Sequence, residues 1–578
     1  MTGFYTDEKN AQIVISLLKS HGIKRVIASP GGTNMALVGS MQRDSFFILY
    51  SAVDERSAAY MACGLAHETG EPVVISCTGA TASRNYMPGM TEAYYRKLPV
   101  LAITSVLATS KVGHLVAQVI DRSTKPKDVA KFSVSLPIVK DDEDIWECEV
   151  KVNQAILELW RHGGGPVHIN LPTVYSRSYN VSTLPKYRKI ERIKPNGIFP
   201  PLRGKVAVVV GSHRKFSASE QEQLDQFCAS NDAVVFCDHT SSYNGAYKVQ
   251  FSLVATQSMM DRSADKPDIT IHIGEISGDY PLLSLPGKEV WRVSEDGEIR
   301  DTFRKLSYVF EMDESTFFAN YSNKTNVSSS YLNQCLVQLE EIRNCIPDLP
   351  FSNIWIASRL AAIMPENCVI HFGILHSLRS WNLFDLPPTV TSASNVGGFG
   401  IDGSLSSVLG ASLADDSKIY YCILGDLAFF YDINALGNRH IGRNLRILLV
   451  NNGKGTEFRN YSHAAAHFGE EADAYISAAG HFGSMSRTLV KNISQDFGFE
   501  YLSASNKVEF DASYSKFIDP LIQDRPILFE VFTDSEEESD ALEAIRSIKR
   551  DPQKAAKTYV KKIMGDKSVR IVKRILKK

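Results

Sequence analysis

The sequence predicts an α/β protein made of three domains, each with a parallel β-sheet. Short apolar runs typical of buried strands alternate with longer stretches typical of helices along most of the chain. A domain usually contains about 100–200 residues, so a chain of 578 residues has room for several. The first and last thirds also repeat one order of elements, which indicates two related α/β domains and not an array of small repeats.

The repeat is visible in the apolar and small residues. In the first third, a predicted helix at 52–66 precedes predicted strands at 72–77 and 98–104, which are joined by a glycine turn and a helix. The last third shows the same order, with a helix at 405–414 and strands at 418–424 and 445–450. Between them, a Ser-, Pro- and Lys-rich stretch at 174–203 and a polar stretch at 322–330 are typical of linkers.

Polar residues follow the two strands of the last third. Gly425-Asp426-Leu427 comes directly after the first strand, and Asn451-Asn452 ends the second. Mg²⁺ prefers oxygen ligands and usually keeps phosphate groups of a substrate in its coordination shell. Asp426 offers a carboxylate, Asn452 an amide oxygen and Lys454 a backbone carbonyl, so the pattern predicts a metal–diphosphate site at the carboxyl ends of parallel strands. The alternative is an Asp helix cap followed by an Asn-Asn-Gly turn.

The composition is that of an ordinary globular protein, with 44% apolar and 22% charged residues. No stretch approaches the ~20 apolar residues that a membrane span needs, and the N-terminus lacks a secretory apolar core. The nine cysteines form no Cys-x-x-Cys pair and lie mostly in apolar runs. We therefore expect buried free thiols in a reducing, cytoplasmic location.

The chain is similar to the thiamine-diphosphate (ThDP) enzyme superfamily, and within it to the menaquinone-pathway synthases, the MenD family. The resemblance covers about residues 10–535 in the family's order. Its stretches are Ser29-Pro-Gly, Asp54-Glu-Arg-Ser-Ala-Ala, Asn85-Tyr-Met-Pro, Glu92-Ala-Tyr-Tyr, Gln118-Val-Ile-Asp, Gly165-Pro-Val-His-Ile-Asn-Leu-Pro172, Gly400-Ile-Asp-Gly403 and Gly425-Asp-Leu with Tyr431-Asp-Ile-Asn434.

This resemblance implies the cofactors ThDP and Mg²⁺ and gives each domain a role. Residues 1–180 would form the pyrimidine-binding domain and 200–345 a middle, Rossmann-like domain. Residues 350–547 would form the diphosphate- and Mg²⁺-binding domain, and 553–578 a basic amphipathic C-terminal helix. In this family the active sites lie between subunits, so we expect a homodimer or homotetramer in which Glu55 of one chain faces Asp426 and Asn452 of another.

Residue roles follow from the same resemblance. Glu55 matches the glutamate that activates the cofactor, Gln118 lies near the reacting carbon, and Arg379 binds a substrate carboxylate. The implied cofactor-binding residues are Glu55, Thr78, Gly79, Ile401, Gly425, Asp426, Leu427, Ala428 and Asn452, and the implied metal ligands are Asp426, Asn452 and Lys454. The alternatives are a helix N-terminal acid for Glu55, a core residue for Ile401 and a solvated loop residue for Gln118.

Substrate-binding residues depart from the family. The MenD reaction decarboxylates 2-oxoglutarate and adds the resulting acyl carbanion to isochorismate, and arginines bind the carboxylates. This chain has Gly32-Thr33 in place of Ser-Arg, Leu107 and Val396 in place of arginines, and Leu375 in place of serine; it keeps Arg379. The candidate substrate-binding residues are Gly32, Thr33, His114, His376 and Arg379.

We therefore expect a ThDP- and Mg²⁺-dependent enzyme that decarboxylates a 2-oxo acid and transfers the acyl carbanion to another acceptor, such as a carbonyl compound. The menaquinone reaction itself, simple 2-oxo-acid decarboxylation and a non-catalytic scaffold remain alternatives.

The C-terminal tail carries its own prediction. Residues 554–578 contain ten Lys/Arg and one acid, Asp566, a net charge of +9, with apolar residues at helical spacing. A helix packed on a neighbouring subunit, or contact with an anionic membrane or an acidic partner, would fit this pattern. Nucleic acid is not expected because no aromatic residues interleave the charges.

Overall fold

The computed structural model describes residues 4–122, 125–257, 266–322, 329–480 and 486–549. Its strands form three parallel sheets with helices between consecutive strands, which confirms the predicted α/β class. The predicted basic tail lies outside the described residues. Internal contacts divide the chain into two compact units, Met1–Gly197 with Gly297–Glu311, and Ile198–Asp296 with Met312–Lys578. This division does not test the predicted boundaries at 180, 200, 345 and 350, which stay predictions.

The first unit contains a six-stranded sheet with the neighbour order β2-β1-β3-β4-β6-β5. Its strands are β1 Arg25–Ala28, β2 Ile48–Ser51, β3 Val73–Thr78, β4 Val100–Leu107, β5 Phe132–Ser135 and β6 Val167–Thr173. Its helices are α1 Lys9–Ser20, α2 Met35–Met41, α3 Glu55–Thr69, α4 Thr81–Asn85, α5 Met87–Tyr95 and α6 Asp142–Glu158. Strands β3 and β4 are buried along nearly their whole length, as expected for parallel strands covered by helices on both faces.

The second sheet contains β7 Glu191–Ile193, β8 Val206–Val210, β9 Ala233–Cys237, β10 Lys248–Val249, β11 Ile269–Ile273, β12 Glu289–Ser294 and β13 Leu306–Glu311. Within the second unit its strands run in the order β10-β9-β8-β11-β12, and within the first unit β13 pairs with β7. Its helices are α7 Ala218–Asn231, α8 Ser252–Ala255, α9 Tyr280–Leu283, α10 Glu314–Tyr321 and α11 Ser330–Arg343.

The third sheet lies in the second unit and has the order β15-β14-β16-β17-β19-β18. Its strands are β14 Val369–Phe372, β15 Thr391–Ser394, β16 Tyr420–Gly425, β17 Leu445–Asn451, β18 Glu500–Ala504 and β19 Ile527–Phe532. Its helices are α12 Asn353–Leu360, α13 His376–Trp381, α14 Ser404–Ser412, α15 Asp426–Tyr431, α16 Leu489–Asp496, α17 Lys507–Phe517 and α18 Ser535–Arg546.

The first and third sheets share one topology. Counted in chain order within each sheet, both place their strands as 2-1-3-4-6-5, which confirms the predicted repeat of two α/β domains. In both, the chain leaves the first strand to one side and then returns to its other side. Such a reversal opens a crevice at the carboxyl ends of the strands, where open parallel sheets bind ligands.

The thiols agree with the sequence expectation. All nine cysteines are free, and all except Cys345 are buried. Across the described ranges, no helix is long and apolar enough to span a bilayer.

We predict that Gly89→Ala destabilises the first unit. A Cβ at Gly89 would lie 2.4 Å from the Cβ of Ala59 and 2.9 Å from its backbone carbon, so α3 and α5 would have to separate. Helix propensity alone would favour alanine by ~0.5–1 kcal/mol, whereas overpacking costs ~1–3 kcal/mol. Thermal unfolding followed by circular dichroism should therefore show a lower midpoint.

The matched control is Gly64→Ala in α3, where an added Cβ has no neighbour within 4 Å among the described residues. This variant should unfold at the same or a higher temperature. A Gly89→Ala protein as stable as Gly64→Ala would contradict the close packing of α3 on α5.

Candidate functional site

The carboxyl ends of β16 and β17 bring the predicted metal ligands to one edge of the third sheet. These strands pair in parallel with Gly425 opposite Val450, so Asp426 and Asn452 both lie just beyond that pair. Asp426 is the first residue of α15 and is buried. The side-chain oxygen of Asn452 is buried and accepts no hydrogen bond from the described residues. Burying an amide oxygen without a hydrogen-bond donor costs free energy. A cation bound to the Asn452 oxygen would offset this cost, which gives a physical reason for the arrangement.

A buried acid lies beside these residues. Glu530 of β19 accepts hydrogen bonds from Nδ2 of Asn451 at 2.7 Å and from the hydroxyl of Tyr501 at 2.8 Å. Burial raises the pKa of Glu530, and the negative charge of Asp426 adds to the effect. Two acids, Asp426 and Glu530, therefore lie at this edge of the sheet, and a bound divalent cation would lower the cost of ionising them.

Lys454 follows in the turn after β17, where Gly453 has a φ of 81°. Its ammonium group donates to Oδ2 of Asp473 at 2.7 Å. The Lys454 side chain is thus held by the loop that follows, and only its backbone carbonyl remains as the expected metal ligand. That role stays a prediction.

Three apolar residues of the predicted cofactor site lie around α15. Ala428 is buried in the core of the third sheet, and Ile401 is partly buried against that core. Leu427 is close to the turn after β17, because a Cβ at Gly455 would lie 3.3 Å from its Cδ1. Ile401 therefore has the packing of a core residue while remaining partly accessible, which leaves both sequence interpretations open.

Glu55 begins α3, but Asp54 provides the N-cap. The Asp54 carboxylate accepts the backbone N–H groups of Arg56 at 2.8 Å and Ser57 at 3.2 Å, so the helix does not need Glu55 for capping. Glu55 lies near the end of β3: burial raises the pKa of the Cys77 thiol to about 12, and the charge of Glu55 contributes.

The structure brings together four of the predicted residues at the ends of β3 and β4. The hydroxyl of Thr33 donates to the Ser105 carbonyl at 2.8 Å and contacts the hydroxyl of Thr78. A Cβ at Gly79 would lie 3.3 Å from the backbone oxygen of Gln118. A side chain at position 79 would therefore require the backbone at Gln118 and Ser105 to shift by a few tenths of an ångström. The side chain of Gln118 is exposed.

The remaining candidates of the first unit are placed differently. Gly32 faces Tyr175, whose hydroxyl would lie 2.8 Å from a Cβ at this position. His114 is exposed in the loop after β4.

Arg379 is already paired within the chain. Its Nη1 donates to Oε1 of Glu457, and its guanidinium lies 4.6 Å from the ring centre of Tyr280. The pair lines a cavity of about 100 Å³ that also includes His376 and Arg546. Sequence reasoning missed Glu457, although its position three residues after Lys454 placed an acid close to the predicted metal site.

His376 pairs with Glu538, its Nε2 lying 2.8 Å from Oε2. Burial by itself lowers the pKa of His376, but the charge and hydrogen bond of Glu538 outweigh it, so the pKa is raised. Glu538 also accepts the backbone N–H of Asn353 and the hydroxyl of Thr533. His376 therefore joins a network that fixes α12 and α18.

Comparison with known proteins agrees with this geometry. Residues 8–124 match the model of the thiamine pyrophosphate enzyme, N-terminal TPP binding domain. A 2-succinyl-5-enolpyruvyl-6-hydroxy-3-cyclohexene-1-carboxylate synthase of Phocaeicola vulgatus is 31% identical over 93% of this chain and 98% of its own length. Proteins of the same name from Bacteroides fragilis and Bacteroides thetaiotaomicron are 30% identical over the same shares.

The chain belongs to the ThDP-dependent enzymes of the MenD type. Members of this family use thiamine diphosphate and a divalent metal such as Mg²⁺, and they catalyse decarboxylation coupled to carbon–carbon transfer on small molecules. The buried, unbonded oxygen of Asn452 fits the oxygen donor that such a metal requires.

We predict that Asn452→Ala weakens Mg²⁺-dependent ThDP binding by at least about tenfold, because a metal ligand contributes on the scale of a charge-assisted bond. Asp426→Ala, which removes a charged ligand, should lose more. The measurement is quenching of intrinsic fluorescence by ThDP at several Mg²⁺ concentrations.

Asn492→Ala, on the exposed face of α16, is the matched control and should bind like the unaltered protein. If Asn452→Ala keeps the Mg²⁺ dependence of that control, Asn452 is not a ligand.

Proposed function

We propose that this MenD-type enzyme decarboxylates a 2-oxo acid and transfers the acyl unit to an acceptor that differs from the MenD acceptor. The observation that carries this proposal is the pair Asp426 and Asn452 at one sheet edge, in a chain of a decarboxylating family. We further propose a homodimer or homotetramer.

The cofactor, when bound, supplies the electron sink for loss of the carboxylate. In our proposal Asp426, Asn452 and the Lys454 carbonyl would hold the metal ion together with the diphosphate of the cofactor. Glu55 would share a proton with the cofactor, a role that suits a partly buried carboxylate. Thr78, Gly79 and Ile401 would orient the cofactor, and Gln118 would lie near the reacting carbon.

The altered substrate is supported by what occupies the positions of the lost arginines. Thr33 is buried, and its hydroxyl donates to the Ser105 carbonyl and contacts the hydroxyl of Thr78. Val396 is only 2% exposed and offers no donor. The charge of Arg379 is matched by Glu457. Thr33, Val396 and Arg379 therefore offer no uncompensated cation to a polycarboxylate substrate, so we propose a donor with a single carboxylate and a non-acidic remainder.

The synthase reaction named for the relatives is the second candidate. It is favoured by 31% identity over 98% of the length of one such protein. Simple decarboxylation, with a proton as the acceptor, and a non-catalytic scaffold complete the alternatives.

The first test is CO₂ release by the purified protein with ThDP and Mg²⁺ from pyruvate, 2-oxoglutarate, phosphonopyruvate and branched 2-oxo acids. We expect release from one acid, and Glu55→Gln should lower that turnover by roughly 10²–10⁴-fold, the usual contribution of proton-transfer assistance. ThDP binding should change by less than about tenfold, since binding and proton transfer are separate contributions. Glu68→Gln, an exposed acid of the same helix, is the control and should remain fully active.

The outcomes separate the candidates. Release from 2-oxoglutarate, with product formed from isochorismate, would establish the synthase reaction and refute the altered substrate. Release without carbon–carbon transfer to any offered acceptor would indicate a simple decarboxylase. Absence of both release and ThDP binding would indicate a scaffold, and equal turnover of Glu55→Gln and Glu68→Gln would refute the role of Glu55.

We also predict that Glu457→Gln shifts donor preference toward dicarboxylates. Removing the carboxylate leaves Arg379 without its neutralising partner, and a charge-assisted bond changes binding by about tenfold or more. The measurement is the ratio of kcat/KM for 2-oxoglutarate to that for the preferred monocarboxylate donor. Glu471→Gln, which changes an exposed acid of the same loop, is the control and should leave the ratio unchanged. If the ratio is also unchanged in Glu457→Gln, Arg379 does not select the donor.

A further inference from the structure

A second cavity in the first unit carries positive charge that the proposed reaction does not use. It has a volume of about 560 Å³ and is lined by residues of β4, β5 and β6 and of the segment between β4 and β5. We call it the basic cavity and define it by Arg122, Lys125, Ser133, His168 and Asn170.

Two cations of the basic cavity, Arg122 and Lys125, are held by neutral groups. Arg122 donates to the hydroxyl of Thr104 at 2.7 Å and to the side-chain oxygen of Asn170. Lys125 donates to the hydroxyl of Ser133, and its ammonium nitrogen lies 3.0 Å from Nδ1 of His168. The same imidazole contacts Thr104 through Nε2 at 2.7 Å. Groups on the sheet thus orient both cations, and none of these hydrogen-bond acceptors is a carboxylate.

The wall of the basic cavity also contains one acid, Asp121, and a third cation, Lys127. Across the described ranges, neither Arg122 nor Lys125 forms an ion pair with a carboxylate within 4.0 Å. Burial lowers the pKa of Arg122 to about 10 and that of Lys125 to about 8, and for Lys125 the charge of Arg122 adds to the effect. Burial disfavours both charged forms, and so do the charge of Arg84 at Arg122 and the charge of Arg122 at Lys125. An anion bound to both groups would reduce this cost.

The rest of the wall indicates what kind of anion fits. Thr109 and Ser135 add hydroxyl groups, while Val106, Val112 and Ile120 form an apolar side. A guanidinium fork beside an ammonium group suits the several oxygens of a phosphate or carboxylate. The volume exceeds what a bare oxyanion would fill, so the apolar side is available for a carbon skeleton.

The cavity adjoins the predicted cofactor-binding segment. Val106 lines it, and a Cβ at Gly79 would lie 3.4 Å from Cγ2 of the same valine. We propose that the basic cavity binds the phosphate or carboxylate group of a small organic molecule through Arg122 and Lys125. This proposal does not depend on which donor the enzyme decarboxylates.

The test uses the full-length protein and two probes, sulfate and acetate, titrated by calorimetry against chloride at constant ionic strength. We expect one site per chain. Arg122→Gln and Lys125→Met should each weaken binding by at least about tenfold, since each removes a charge-assisted bond. Lys140→Met, an exposed lysine of the same unit, is the control and should bind like the unaltered protein. Tighter sulfate binding would assign a phosphate ligand, and tighter acetate binding a carboxylate ligand.

Thermal unfolding separates this role from a structural one. In chloride, Lys125→Met should unfold at the same or a higher temperature, because an uncompensated buried charge is removed. Sulfate should raise the midpoint of the unaltered protein and not that of Lys125→Met. Absence of binding of both probes, or equal binding by Arg122→Gln and Lys140→Met, overturns the proposal. So does a change in subunit dissociation without a change in sulfate binding, which would mean that the cations pair with carboxylates of a second copy.

Discussion

The parallel pairing of β16 with β17 is the constraint on which the candidate site depends. Because Gly425 lies opposite Val450, the segments that follow these two strands start at the same sheet edge, and Asp426 and Asn452 both lie just beyond that pair. The strands themselves are almost wholly buried and apolar, so their register is fixed by the core and not by the polar residues. In the proposed function, that register preorganises Asp426 and Asn452 as a pair of oxygen ligands.

Two arginines of this chain differ in whether a carboxylate compensates their charge. Arg379 pairs with Glu457 and its guanidinium lies over the ring of Tyr280, so a substrate carboxylate would have to compete with Glu457. Arg122 is held by hydroxyl and amide groups, which orient its guanidinium without cancelling its charge. The first arrangement favours a donor with few acidic groups, and the second favours an anionic ligand.

The sequence predicted much of the fold because its signals are local. Apolar runs placed the strand at 445–450, which the structure extends by one residue to Asn451, and the strand at 418–424, which the structure places at Tyr420–Gly425. The duplicated order of elements predicted two related sheets, and both have the same topology. Asp426 and Asn452 were predicted because metal ligands at strand ends follow from sequence position alone, whereas their roles remain predictions.

The sequence by itself determined the α/β class, the repeat, the family and the residues that match its cofactor motifs, since each of these is written in short segments. Only the tertiary structure decided that Glu457 meets Arg379, 78 positions apart, and that Asn170 and Ser133 surround two cations from another loop. Such pairings depend on which strands become neighbours and on where a buried charge finds its partner. Neither is recorded in local composition, because burial and charge compensation are properties of the folded chain.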